Sequence, residues 1–117
     1  MFNKKPKPGK PRPVTDETFV AEVLNSELPA VVDFWSRTCP PCQVMSGLLN
    51  EVGPEYAERI NFFKANVEEN IEAAGHLNIS SVPTLVFFKG PKVVDIVVGL
   101  LPLMPLKQKL DKLADQK

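Results

Sequence analysis

The chain has 117 residues, 44% hydrophobic and 24% charged, and its fourteen basic and fourteen acidic side chains cancel. That length fits one domain with a core of its own, so a disulfide is not needed to hold it together, and a balanced charge without a basic, aromatic-interleaved face argues against nucleic acid as a partner. No run is long enough to cross a bilayer and residues 1–14 contain no apolar export signal, so a soluble, cytoplasmic protein with no membrane association is expected.

Residues 1–14 (MFNKKPKPGKPRPV) carry Lys4, Lys5, Lys7, Lys10 and Arg12, no acids and four of the twelve prolines, which leaves the remainder with a net charge of −5. Such a segment buries too little to offset its ordering entropy. A basic, proline-rich disordered tail over 1–14 is therefore expected ahead of a domain over 15–117. It reads either as a solvated extension or as an arm for an acidic or proline-reading partner.

Thr15 is placed to cap a helix over 16–26, where Phe19, Val20, Val23 and Leu24 recur at helical spacing. AVVDFW, residues 30–35, is short, apolar and rich in β-branched residues, the profile of a strand buried on both faces. Val44, Met45, Leu48, Leu49 and Val52 mark a second helix, which Gly53-Pro54 should kink or break. A second buried strand is expected over 60–67 and a short helix over 69–77, with Asn78 as a left-handed stop. His76 reads as a solvent-facing helix residue. Residues 84–88 and 93–98 flank the turn KGPK as an antiparallel hairpin. Pro105 opens a last helix that buries Leu106, Leu110 and Leu113. The order predicts an α/β domain with a central mixed sheet covered by helices on both faces.

Both cysteines fall in VVDFWSRTCPPCQVM, directly after the first long strand. A staple closing so short a loop would stabilise little. A zinc site needs about four ligands, and His76 is the sole further soft one, so no metal is expected unless two chains pool their thiols. Haem attachment requires a histidine where Gln43 stands. A redox couple is the leading reading, since cytosolic disulfides are usually transient and catalytic.

VDFW, Cys-x-Pro-Cys, a Val-Pro-Thr some forty residues on, FFKG and a Val-Gly pair occur here in an order and spacing that resemble the thioredoxin family. The resemblance spans about Val14 to Leu113 and implies the thioredoxin fold. It also implies a dithiol–disulfide oxidoreductase that binds no cofactor, acts on disulfide-containing proteins as a monomer, and is re-reduced by an NADPH-dependent flavin reductase. Cys39 would be the nucleophile at a helix N-terminus, where dipole and free N–H groups favour a thiolate, and Cys42 would resolve the mixed disulfide. Asp33, costly within an apolar strand, would lie beneath the dithiol and move a proton to or from Cys42, with Lys64 beside it. Pro83 would be cis and present the Val82 backbone to a substrate. Trp35, Pro40, Val82, Pro83, Thr84, Gly99 and Leu100 would form the substrate-binding rim.

The active-site segment departs from the family's usual Trp-Cys-Gly-Pro-Cys at Thr38 and Pro40, and Gly47 stands where a proline is common. Pro40 removes a backbone donor near Cys39 and stiffens the loop. A disulfide reductase is the favoured function. An oxidant or isomerase using the same thiols, and a binding adaptor using the groove and basic tail, are the alternatives.

Overall fold

The computed structural model describes residues 8–115. Five strands form one sheet in the order β1-β3-β2-β4-β5. They are β1 (Arg12–Pro13), β2 (Ala30–Trp35), β3 (Asn61–Asn66), β4 (Thr84–Lys89) and β5 (Lys92–Val98). Strands β1, β3 and β2 run parallel, while β4 is antiparallel to both β2 and β5, which makes the sheet mixed.

Four helices cover it: α1 (Asp16–Phe19), α2 (Pro40–Val52), α3 (Ile71–His76) and α4 (Leu103–Asp115). Alternate residues of the central strands feed two cores. Val32, Phe34, Phe63, Val86 and Phe88 pack with Phe19, Val23, Ala73 and Ala74 on one face. Val31, Phe62, Leu85 and Phe87 pack with Met45, Leu49, Leu106 and Leu110 on the other. Burial on both faces is why AVVDFW lacks the polar alternation of a surface strand.

The expectation of a disordered tail to residue 14 is corrected for the described part of that segment. Arg12 and Pro13 pair with Phe63 and Lys64, the Arg12 guanidinium lies 5.2 Å above the Phe63 ring, and Val14 is buried. Buried Asn70 fastens the entry by donating to the Val14 carbonyl at 2.9 Å. Gly9, at φ +91°, lies so close to Gly53 that a Cβ on either would run into the other's backbone. Pairing at the sheet edge thus supplies what side-chain burial does not. The rest of the expected tail, residues 1–7, lies outside the described residues.

Two helices differ in detail from expectation. The first continues beyond α1 as one wide π turn over Val20–Leu24, closed by the Asn25 N–H on the Val20 carbonyl at 3.0 Å. The last begins at Leu103 rather than Pro105, because proline is tolerated in a first turn whose N–H groups lack helical partners. Gly53-Pro54 ends α2 in a short 3₁₀ turn over Gly53–Tyr56, and Asn78 is left-handed at φ 58°.

Candidate active site

Cys39 caps α2 in extended backbone, φ −129° and ψ 93°, the conformation that a following proline imposes. It is bonded to Cys42, with the two Cα atoms 5.2 Å apart. Pro40 and Pro41 occupy the first two helical positions and have no N–H to give. The first donor the helix offers is the Cys42 N–H, 3.0 Å from the Cys39 carbonyl and 3.2 Å from its Sγ. Cys39 is 8% exposed and Cys42 2%, so Cys39 presents the more accessible sulfur.

The facing wall is the loop before β4. The Val82–Pro83 peptide is cis, and the Val82 carbonyl lies 3.7 Å from Cys39 Sγ. Gly99, at φ +89°, donates its N–H to the Pro83 carbonyl at 2.8 Å. A side chain would be strained in that conformation. Leu100 follows directly and is exposed, as is Pro40 across the dithiol. Thr84 does not belong to this rim: it is buried, and its hydroxyl donates to the Ser81 carbonyl at 2.7 Å. It holds the turn that carries Val82 and Pro83.

Beside Cys42 opens a cleft of about 240 Å³, lined by Asp33, Trp35, Ser36, Arg37, Cys42, Gln43, Ser46 and Lys64. Asp33 is 2% exposed, and burial raises its carboxyl from 3.8 to about 7, against a smaller opposing pull from Lys64. Lys64 is the register neighbour of Asp33 across the parallel β2–β3 pair. No ion pair joins them among the described residues, so Lys64, placed beside Asp33 as the resemblance implies, acts on it through space. Asp33 Oδ1 and Trp35 Nε1 are both buried without a hydrogen-bond partner, which leaves an acceptor and a donor beside the dithiol. Sequence reasoning missed Ser46 and Gln43. Ser46 follows Cys42 by four residues and so shares its helix face, a spacing that could have pointed to it.

His76 is exposed at the end of α3, and no group of three or more His, Cys, Asp or Glu among the described residues could hold a metal ion. A cysteine pair at a strand-to-helix junction, facing a cis proline and backed by a buried carboxylate, defines a thiol–disulfide oxidoreductase built on the thioredoxin fold. The Thioredoxin family model matches residues 10–112. Thioredoxin 1 of Nostoc sp. (strain PCC 7120) is 43% identical over 99 residues, 85% of this chain and 92% of that protein. Thioredoxin 2 of Chlorobaculum tepidum is 42% identical over 104 residues, 89% and 95% of the two chains. The chloroplastic M-type thioredoxin of Chlamydomonas reinhardtii is 34% identical over 99 residues, 85% of this chain and 71% of that one. The chain belongs to the thioredoxin family, and Cys39–Cys42 is its redox-active pair.

Proposed function

We propose that this protein works as a cytoplasmic, monomeric electron donor to protein disulfides, is recharged by an NADPH-dependent flavin reductase, and divides the chemistry among the following residues. The reduced Cys39 thiolate attacks one sulfur of the substrate disulfide. A Cys39–substrate disulfide forms and the first substrate sulfur leaves as a thiolate that takes a proton. The Asp33 carboxylate accepts the Cys42 proton through the adjoining cleft. The Cys42 thiolate then attacks Cys39 Sγ, closes the Cys39–Cys42 disulfide and releases the second substrate thiolate. Two electrons pass to the substrate, and the protein is left oxidised. Lys64 tunes the Asp33 proton affinity, and Trp35, Pro40, Val82, Pro83, Gly99 and Leu100 bear on the substrate.

The observation that carries this reading is the buried Asp33, poised near neutrality beside the less accessible sulfur. A group that must both take and return a proton works best with a pKa near ambient pH. The test is the reduction potential of the couple, measured by equilibration with glutathione or a reference thioredoxin. A reductase should lie below about −240 mV, near the roughly −270 mV of thioredoxin itself. A value above about −200 mV would place the couple with oxidants and isomerases and overturn the electron-donor reading.

A further inference from the structure

Side chains alternate between the two faces of β2, so Asp33 shares its side of the sheet with Val31, which packs with Met45 and Leu49 of α2. Helix α2 thus covers the carboxyl. On that helix Cys42, Ser46 and Leu49 follow at i, i+4 and i+7, a spacing that keeps side chains on one face with successive Cβ atoms about 5–6 Å apart. Ser46 therefore sits one turn below the buried thiol, and it lines the same cleft as Cys42 and Asp33.

A serine there is out of pattern. Met45 and Leu49, beside it on α2, are wholly buried, and a hydroxyl in a helix interior often turns back to the carbonyl four residues earlier. The half-buried Ser46 hydroxyl has no hydrogen-bond partner among the described residues, and Asp33 Oδ1 is buried without one as well. Both ends of the proton transfer and an uncommitted hydroxyl thus border one cleft. Among the side chains that line it, a hydroxyl alone accepts and donates a proton at the same atom. Of the two hydroxyls, Ser46 shares a helix face with Cys42, whereas Ser36 belongs to the loop beyond β2.

We propose that the Ser46 hydroxyl relays the proton between Cys42 and Asp33 when the Cys39–Cys42 disulfide closes. The Asp33 carboxylate takes the Ser46 hydroxyl proton as Ser46 Oγ takes the proton of the Cys42 thiol. Ser46 ends neutral as it began, Cys42 becomes the attacking thiolate and Asp33 the carboxylic acid. No electron moves until that thiolate attacks Cys39 Sγ. The inference rests on the acceptor role given to Asp33 above and names the group that joins it to the thiol. The titratable and charged groups on the cleft around Ser46 are Cys42 from its own helix, Asp33 and Lys64 from the sheet, and Arg37 from the loop between β2 and α2.

The experiment follows a single turnover of the pre-reduced full chain with excess disulfide-bonded peptide, read by the fluorescence of Trp35, its one tryptophan. Attack by Cys39 depends on peptide concentration and closure by Cys42 does not, so the limiting first-order rate reports closure. Ser46→Ala should lower that rate about tenfold at pH 7 while leaving Cys39 alkylation by iodoacetamide within about twofold. The gap should narrow as pH rises to about 10, above the ordinary thiol value of about 8.5, because Cys42 then ionises without a relay. Ser46→Thr keeps the hydroxyl and should restore closure to within about threefold. In Asp33→Asn, where the acceptor is gone, adding Ser46→Ala should change closure by less than about twofold. Parental closure in Ser46→Ala alongside slow closure in Asp33→Asn would overturn the inference and leave the reductase reading standing. Equal slowing by Ser46→Ala in both backgrounds, or a Ser46→Thr as slow as Ser46→Ala, would assign the serine to packing and would also overturn it. Parental closure in Asp33→Asn would strike the acceptor role itself, and the relay with it.

Discussion

Replacing Asp33 with asparagine removes an ionisation that the fold resists. Asp33 lies 2% exposed within β2, and burial lifts its carboxyl from 3.8 to about 7. Between those values the folded protein holds a proton that the unfolded chain has released. Stability from this group is therefore complete below about pH 4, declines as pH rises through the window, and levels off once the folded carboxyl has also ionised. At 1.36 kcal/mol per unit, the rise corresponds to an upper limit of about 4 kcal/mol lost by neutral to mildly alkaline pH. The Asp33→Asn amide keeps the shape and never ionises. The oxidised variant should be more stable than the parent by about 2–4 kcal/mol near pH 8, with the gap closing towards about pH 4. Urea unfolding at a series of pH values, with thermal melts as a second probe, measures it. The same variant should reduce insulin more slowly, since the Cys42 proton loses its acceptor. A stability gap that does not change with pH, or a variant less stable at pH 8, would refute the assignment of a desolvated carboxylate.

Two further substitutions test neighbouring parts of the molecule. Pro40→Gly gives the first turn of α2 an N–H that the native helix lacks, and should lower the Cys39 thiol pKa by on the order of one unit, read from the pH dependence of alkylation. An unchanged thiol would mean that the Cys42 N–H alone sets thiolate stability. Gly53→Ala places a methyl group against the Gly9 carbonyl and should cost about 1–3 kcal/mol in denaturant unfolding. Full stability in that variant would show that the residues before β1 contribute nothing to the fold.

The architecture was legible because its signals were redundant. AVVDFW is β2 to the residue, Asn78 is left-handed as its position after α3 suggested, and the hairpin turns at Gly90-Pro91. Strand β1 was not legible, since nothing local in Arg12-Pro13 favours a sheet. Its pairing with β3 depends on the Asn70 bond to Val14 and the Gly9–Gly53 approach, both made by residues far along the chain. The redox pair and Asp33 could be read because each breaks the composition around it: two thiols where there are no others, and one carboxylate among apolar residues. Lys64 does lie beside Asp33 in register, but sequence does not reveal whether two neighbouring side chains close to bonding distance. Thr84 was misread for a similar reason. It was carried into the rim with the family's Val-Pro-Thr motif, and only the geometry shows its hydroxyl turned inward to Ser81.

The apposition of Gly9 and Gly53 also fixes where the molecule can be handled. Cys39 caps the start of α2 and Gly53 follows its last residue, so the chain enters the fold about 20 Å, thirteen helical residues, from the reacting sulfur. A dye, an affinity resin or an electrode linked through the exposed Lys10, next to Gly9, therefore meets the body at the end of α2 away from the dithiol. The protein can be immobilised there with the more accessible sulfur of its redox pair left unobstructed.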